Sequence, residues 1–388
     1  MTESEFDPRI YWIWLQHALG PGSSKPNRVL SAYPSLAEFY RAGREAWLLE
    51  GYFTQKEISK MCRWPASAAA ALLEYCGRAG QRVLTPESPE YPELLRQIPN
   101  PPCALYVKGR LPDFDLAPPI AIVGTRRATP TGRAAARSIA FELAKHGAAV
   151  VSGGALGIDT AAHQGALQAN GKTVCVLGCG IDFPYLMANA SLRDAVAATG
   201  ALISEYPPGT QASGSNFPIR NRIISGMALG TLVVEAAGKS GSLITADFAL
   251  DQGRDVFAVP ADIFSPVSKG VNGLIKSGAK PVSSAEEIME EYPDRFSEKI
   301  GLDGRNSDAI IKDNGGRAEE ARPADGEAED LSEDARALLA RLTRAPQGLS
   351  DLTAGTGLSA ARALSAVTEL ELAGAVRSYS GRRYSLPR

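Results

Sequence analysis

The chain has 388 residues, which is long for one domain and predicts two or three domains of about 100–200 residues each. A net charge of −2 provides no global basic field, so any site for a nucleic acid or another anion must be local. No apolar run approaches the ~20 residues that cross a bilayer, and the acidic start 1–7 lacks the features of a signal peptide. We therefore expect a cytoplasmic protein with no membrane partner.

The cysteines and histidines do not form a metal-binding pattern. The five cysteines contain no C-x-x-C pair, and none of the three histidines has ligand spacing to a cysteine or to another histidine. Free thiols in a reducing compartment are the natural interpretation. We expect no metal site and no cofactor.

Residues 8–85 are predicted to be helical, because aromatic and leucine side chains recur at helical spacing around 10–15 and 34–40. The turn Leu19-Gly20-Pro21-Gly22 fits a helix-hairpin-helix, whose glycine-rich turn offers backbone N–H groups to a phosphate. It also fits a plain turn between two helices. The sequence leaves both interpretations open.

From residue 118 onward, short β runs alternate with amphipathic helices. The predicted strands are 120–124, 149–153, 173–178, 201–204, 230–235 and 255–259, and the predicted helices between them include 131–146, 158–170 and 242–253. Nearly continuous apolar strands in such alternation predict an α/β fold with a parallel sheet covered on both faces. Ligands of this architecture bind outside the carboxyl ends of the strands.

The last ninety residues divide by charge. Residues 303–330 carry a net charge of −5 with almost no apolar periodicity, which predicts a flexible acidic linker over 297–330. Residues 331–388 carry a net charge of +3. Here a helix at 331–342, a helix capped by Ser350, a helix from 358 that ends at Gly374, and a hairpin follow each other in the order of a winged helix.

Two glycine-containing loops follow the first two predicted strands of the sheet. Gly124 and Thr125 lead into Arg126 and Arg127, so that backbone N–H groups and two guanidinium groups can meet a phosphate. A tight turn with two solvated arginines fits equally well. In the next loop, the adjacent Gly153-Gly154 permits close backbone approach but does not match the dinucleotide fingerprint, and Asp159 and His163 behind it are expected to be structural.

Two further segments carry charge or hydroxyl groups at strand ends. Arg220-Asn221-Arg222 lies at a predicted helix start and suits phosphates, although one arginine can instead pair with Glu205 or Glu235. The turn Lys239-Ser240-Gly241-Ser242 follows a strand and precedes a helix, so it can also hold an anion. It lacks the G-x-x-x-x-G-K-[ST] order, so ATP hydrolysis is not indicated.

These loops occur in an order that resembles the DNA processing protein A (DprA/Smf) family. The matching motifs are Val-Gly-Thr-Arg-Arg (123–127), Ser-Gly-Gly-Ala-Leu-Gly-Ile-Asp (152–159), Gly-Cys-Gly-Ile-Asp (178–182), Phe-Pro-Ile-Arg-Asn-Arg-Ile-Ile-Ser-Gly (217–226) and Val-Val-Glu-Ala with Ser-Gly-Ser-Leu-Ile-Thr-Ala (233–246). The chain departs from the family where Leu186 follows Tyr185, and 186–189 contains no lysine. Family members often place a DNA-contacting lysine near this position. The candidates to replace it in this chain, called the alternative cations below, are Lys172, Arg193 and Lys239.

The resemblance implies a complete domain plan. A small helical SAM-like domain (8–85) precedes an extended Rossmann-like DNA-binding domain (86–296), and the linker leads to a winged-helix domain (331–388). It also implies a non-catalytic protein that binds single-stranded DNA in a basic pocket, forms a homodimer, and helps to load RecA recombinase onto incoming DNA in natural transformation.

The resemblance also assigns site residues. Arg126 takes the position of the DNA-contacting arginine, supported by the backbone of Gly124 and Thr125. The other residues expected to line or shape the pocket are Arg127, Gly153, Gly154, Arg220, Asn221, Arg222, Lys239, Ser240, Gly241 and Ser242. Phe183, Tyr185 and Phe217 are the nearest aromatic rings for base stacking, and each fits a core position equally well.

Two other functions compete with this one. Glu235 and the loop Ser240-Gly241-Ser242 loosely resemble the site of lysine-decarboxylase-like nucleotide phosphoribohydrolases, but the glutamate precedes the loop, and we expect it to hold arginines. In the other alternative, Arg377, Arg382 and Arg383 make the winged helix the DNA reader, although its helix around 360–369 is too rich in alanine to read bases convincingly.

Overall fold

The computed structural model describes residues 7–300 and, with short gaps, 332–386. The chain divides into two compact units, residues 1–307 and 308–388. Most of the predicted linker 297–330 lies outside the described residues. The proposed domain boundaries therefore stay predictions.

The first unit begins with a helical bundle, as the spacing of apolar residues predicts. Its helices are α1 (Arg9–Leu19), α2 (Lys25–Ala32), α3 (Leu36–Leu49), α4 (Gln55–Arg63) and α5 (Ala66–Arg78). Local sequence signals set the helix starts: the Ser35 hydroxyl accepts a hydrogen bond from the Glu38 N–H, and Thr54 forms a capping box with Glu57. The rings of Trp14, Phe39 and Trp47 pack in its core, with centroids 5.3–6.0 Å apart.

A nine-stranded sheet follows the bundle in the described part of this unit. Its elements are β1 (Arg82–Leu84), α6 (Glu93–Arg96), β2 (Leu105–Gly109), β3 (Pro119–Val123), α7 (Pro130–Lys145), β4 (Ala149–Ser152), α8 (Ile158–Gln168), β5 (Lys172–Leu177), α9 (Ala190–Thr199), β6 (Ala201–Ser204), α10 (Asn216–Gly226), β7 (Gly230–Val233), α11 (Gly241–Asp251), β8 (Asp255–Ala258), α12 (Lys269–Lys276), β9 (Lys280–Pro281), α13 (Glu286–Met289) and α14 (Pro293–Ile300).

The strand order is β1-β2-β6-β5-β4-β3-β7-β8-β9. Neighbouring strands from β6 to β9 run parallel, and β1, β2 and β6 pair antiparallel. All six predicted strands are confirmed as members of the parallel part. The sequence analysis did not predict β1, β2 and β9, which form the two ends of the sheet; β1 and β9 have only three and two residues.

Both faces of the sheet are buried, which explains the continuous apolar strands. Alternate side chains of β3 divide between two cores: Ala121 and Val123 pack with α10, α11 and α12, whereas Ile120 and Ile122 pack with α7 and α8. Toward the β2 edge, Tyr106 joins the core of the helical bundle. The bundle and the sheet are thus continuous in one unit.

The second unit contains α15 (Glu333–Leu339), β10 (Gln347–Gly348), α16 (Ala360–Leu372), β11 (Arg377–Tyr379) and β12 (Arg383–Ser385). Strand β12 pairs antiparallel with both β10 and β11, which confirms the predicted hairpin. Leu338, Leu352 and Leu370 lie in its core. The predicted positions Ser350, Gly374 and Arg382 lie outside the described residues. The first and third predicted helices and the hairpin are thus present in the predicted order, strand β10 was not predicted, and the second predicted helix lies mostly outside the described residues.

Candidate nucleic-acid interface

The candidate site lies where the strand order reverses. Strand β3 has β4 on one side and β7 on the other, so the chain builds the sheet first in one direction and then in the opposite one. Loops that leave the carboxyl ends of β3 and β7 diverge and open a crevice, which is where ligands bind in doubly wound sheets. A cavity of about 460 Å³ occupies this position and is called the switch-point cavity below.

Four segments that are distant in sequence line the switch-point cavity. The lining residues are Val123, Gly124, Thr125, Arg126, Ala155, Asp159, Gly214, Phe217, Pro218, Arg220, Asn221, Ile224, Ser240, Gly241, Ser242, Ile244 and Thr245. Of the thirteen predicted site residues, eight are among them. Arg127, Gly153, Gly154, Arg222 and Lys239 are not.

The loop after β3 is hydrogen-bonded to the segment that follows β7 and to the start of α8. The Thr125 N–H donates to the Glu235 carbonyl across the crevice (2.8 Å), and the Thr125 carbonyl accepts from the Ile158 N–H at the start of α8 (3.3 Å). This fixed backbone presents Arg126, whose exposed guanidinium lies 5.1 Å from the centre of the Phe217 ring. Arg127 is exposed next to the cavity without lining it.

Arg220 forms the floor of the cavity, and its guanidinium is not exposed to solvent. Its guanidinium donates to the carbonyls of Gly153 (2.7 Å) and Val176, and the residue is 4% exposed. Gly153 has to be glycine for this contact, because a Cβ would lie 2.5 Å from the Arg220 Nη1. Gly153 was predicted to let a ligand approach the backbone. It instead makes room for the side chain of Arg220.

The carboxylate of Asp159 lies in the same dry region. Burial raises the pKa of the Asp159 carboxyl, and the Arg220 guanidinium acts against that shift. Burial also lowers the pKa of Arg220, with Asp159 acting against that shift. Charges in such a desolvated floor are weakly screened, so they act strongly on a ligand that enters the cavity.

The remaining wall comes from α10 and α11. Asn221 joins the two helices by donating from its Nδ2 to the Gly241 carbonyl (3.2 Å). Ser240 is the N-cap of α11, with its hydroxyl 2.8 Å from that of Ser242. The amino-terminal end of α11, which carries partial positive charge, thus faces the cavity. Lys239 is exposed in the turn before it.

Aromatic rings cluster at the mouth of the cavity. The Phe217 ring is partly exposed and lies 5.3 Å from the Tyr185 ring, and the Arg220 guanidinium is 5.7 Å from its centre. Arg193, one of the alternative cations, donates to the Tyr185 carbonyl and supports this cluster from behind. From the sequence, Phe217 fitted a stacking site and a core position equally well, and its position before Arg220 at a helix start is the signal that favours the site.

Arg222 does not reach the cavity, so its expected phosphate contact is corrected. Its guanidinium is fully buried, and its Nη2 contacts both carboxylate oxygens of Glu205 at 2.7 Å. The open alternative of an internal ion pair is therefore the correct one for Arg222. It shapes the site only by holding α10.

The expectation that Glu235 holds arginines is also wrong. Its carboxylate accepts hydrogen bonds from the Thr129 N–H (2.9 Å) and hydroxyl (2.5 Å) at the N-cap of α7. Glu235 does not line the cavity. His163, which was expected to be structural, is fully buried, and its Nδ1 lies 2.8 Å from the Thr173 hydroxyl.

The glycine turn after α1 proves to be a structural contact. The Gly20 N–H donates to the Gln16 carbonyl (2.8 Å), and the Gly22 N–H donates to a carboxylate oxygen of Glu205 (3.2 Å). These backbone donors are used inside the molecule. The helix-hairpin-helix interpretation is therefore not supported.

The described residues contain no cluster of three or more histidine, cysteine, aspartate or glutamate side chains that could hold a metal ion. Within the same residues, no helix is both long and apolar enough to span a membrane.

Comparisons with known proteins identify the chain's relatives. Residues 82–293 match the family model described as DNA recombination-mediator protein A, and residues 322–382 match the DprA winged helix domain. The chain is 36% identical to Protein Smf of Synechocystis over 402 residues, which covers 99% of both chains. It is 43% identical to the DNA processing protein DprA of Bacillus subtilis over 208 residues, covering 54% of this chain and 70% of that protein.

Two solved structures resemble this chain over part of its length. DNA processing protein A of Streptococcus pneumoniae matches with a TM-score of 0.56 and 36% identity, covering 61% of this chain and 81% of that one. The protein from Helicobacter pylori, described for its single-stranded-DNA binding mode, matches with a TM-score of 0.50 and 30% identity, covering 54% and 94%. By sequence over its whole length and by the fold around the switch-point cavity, the chain belongs to the DNA processing protein A (DprA/Smf) family.

Proposed function

We propose that this chain is a non-catalytic DNA processing protein that binds single-stranded DNA at the switch-point cavity. One observation carries the proposal: the exposed guanidinium of Arg126 lies beside the partly exposed Phe217 ring at the mouth of the cavity. A cation for the phosphate next to a ring for the base is the combination that binds single strands without reading sequence. The DNA processing protein A of Helicobacter pylori, which is known for its single-stranded-DNA binding mode, supports the same ligand.

Each predicted site residue has a place in this proposal. Arg126 and the exposed Arg127 and Lys239 neutralise phosphates along the strand, and the amino-terminal end of α11 with Ser240, Gly241 and Ser242 holds one phosphate in the cavity. The backbone of Gly124 and Thr125 and the amide of Asn221 complete the wall, and Arg220 supplies positive charge from the floor. Gly153 and Gly154 shape that floor, and Arg222 fixes α10.

The phosphoribohydrolase alternative requires a carboxylate that faces the ligand. Glu235 was the candidate for this role, and its carboxylate is instead bound to the N-cap of α7. The geometry therefore favours binding without catalysis.

We further propose that the protein acts in the cytoplasm, as a homodimer, in loading RecA recombinase onto incoming DNA during natural transformation. These roles rest on membership of the family. In the second unit, Arg377 and Arg383 lie in strands β11 and β12 of the hairpin, which is where a winged helix contacts a DNA backbone or a partner protein. We assign this unit an auxiliary contact.

Fluorescence anisotropy with a labelled oligo-dT tests the DNA site. Arg126→Ala should weaken binding by about 1.5–3 kcal/mol, the value of a hydrogen bond to a charged group. It should also reduce the slope of log affinity against log salt by about 0.7, because one fewer counterion is released from a single strand. Arg44→Ala removes an exposed arginine from α3 and should leave binding unchanged.

A duplex competitor measures the preference for single strands. Wild-type binding should persist in the presence of the duplex and weaken as salt rises. Binding that is unaffected by Arg126→Ala, or equal for the two forms of DNA, would contradict the assignment of the cavity.

A further inference from the structure

Helix α10 lines the cavity with one face and is held from behind by the helical bundle. Phe217, Arg220 and Asn221 line the cavity. Ile219 instead meets the turn between α1 and α2. A Cβ placed on Gly22 of that turn would lie 3.0 Å from the Ile219 Cγ2 and 3.6 Å from the Arg222 Nε, so the turn and the helix are already in close contact.

Hydrogen bonds fix the turn in this position. The Gly22 N–H donates to Glu205 (3.2 Å), the same carboxylate that pairs with Arg222, and the Gly22 carbonyl accepts from the Asn100 Nδ2 (3.1 Å). From α1, the Gln16 Nε2 donates to the Glu205 carbonyl (2.6 Å). Both polar backbone atoms of Gly22 are thus committed to the sheet side of the unit, and the turn cannot shift without breaking them.

We propose that the turn 19–22 of the helical bundle positions α10 for DNA binding, although the turn itself does not line the cavity. Binding groups must be held within about 0.5 Å of their productive geometry. Ile219 lies within one helical turn of both Phe217 and Arg220, so a push on Ile219 moves the stacking ring and the floor guanidinium together. The inference rests on the proposed function, because DNA affinity is its readout.

Two glycines in the turn provide a matched experiment. Gly20 and Gly22 both have a positive φ, of 81° and 80°, so a side chain at either position strains the backbone of the turn. A Cβ on Gly20 meets nothing within 4 Å, whereas a Cβ on Gly22 meets α10. Alanine and leucine at each position therefore separate the effect on α10 from the effect on the turn.

Oligo-dT affinity should fall about threefold in Gly22→Ala and about tenfold or more in Gly22→Leu, since small displacements of a binding group are costly. The Gly20 variants should stay close to wild type. Tryptophan fluorescence, which reports on the bundle, checks that each variant is folded. A purely structural turn would lower stability at both positions without separating their DNA affinities.

Ile219→Ala approaches the same contact from α10 without straining the turn. It should weaken binding by about threefold because α10 loses its support, and the double variant Gly22→Ala, Ile219→Ala should bind no worse than Ile219→Ala alone. Equal affinity of the Gly22 and Gly20 variants, or no effect of Ile219→Ala, would overturn the inference while leaving the effect of Arg126→Ala intact. Failure of the Arg126→Ala test would instead overturn the proposed function.

Discussion

Replacing Glu205 with glutamine tests how strongly the ion pair behind α10 holds the first unit together. The side chains of Glu205 and Arg222 are 3% and 2% exposed, and both carboxylate oxygens lie 2.7 Å from the Arg222 Nη2. The Nε and Nη1 atoms of Arg222 have no hydrogen-bond partner among the described residues. The carboxylate is therefore the main compensation for a buried charge that cannot be lost by deprotonation.

The size of the effect follows from that geometry. Glutamine retains the shape of Glu205 and one acceptor oxygen but removes the negative charge, so Arg222 stays charged and buried without an ionic partner, which typically costs about 3–5 kcal/mol. An exposed ion pair is worth only about 0–1 kcal/mol. Because a domain has a total stability of about 5–15 kcal/mol, Glu205→Gln should remove a large part of it. Adding Arg222→Met removes the stranded charge and should restore much of the loss.

Urea unfolding followed by tryptophan fluorescence measures this effect. All four tryptophans lie between residues 12 and 64, so the signal reports on the first unit. The matched control is Glu74→Gln, which removes the same charge from a pair with Arg78 whose side chains are 70% and 71% exposed. A cost for Glu205→Gln below 1 kcal/mol, equal to that of the control, would refute the view that this pair is a desolvated support of α10.

Three further predictions concern single residues. Burial lowers the pKa of His163 to about 3, so the folded state favours its neutral form. Stability should therefore fall as the pH drops below 6.5, by about 2 kcal/mol at pH 5. Urea unfolding of His163→Asn should not show this loss. Phe217→Ala should weaken oligo-dT binding by about 1–3 kcal/mol without changing the salt slope, because it removes base stacking and no phosphate contact. Gly132→Ala should cost about 1–3 kcal/mol in urea unfolding, since its Cβ would lie 2.2 Å from the Glu235 carboxyl carbon, whereas Gly238→Ala meets nothing within 4 Å and should be neutral.

The parallel part of the sheet could be predicted from the sequence because its signal is local. Each strand is a short apolar run followed by glycine or a polar loop, and the alternation with helices specifies the architecture. Strands β1 and β2 gave no such signal, because they pair antiparallel and precede the alternation of strands and helices, and β1 has only three residues. The position of the cavity could also be predicted, because the loops that follow parallel strands all lie at the same edge of the sheet. The shape of the cavity could not.

The identity of the contacts within those loops could not be inferred in the same way. Arg220 and Arg222 look equivalent in sequence, one on each side of Asn221, and both were expected at phosphates. Residues two apart on an α-helix point about 200° away from each other, so the two arginines cannot serve the same site. Helical spacing therefore predicts that one of them faces away from the cavity. It does not predict which one, because that depends on Glu205, which lies seventeen residues earlier, directly after β6. The tertiary partner decides which arginine reaches the cavity and which one holds the helix.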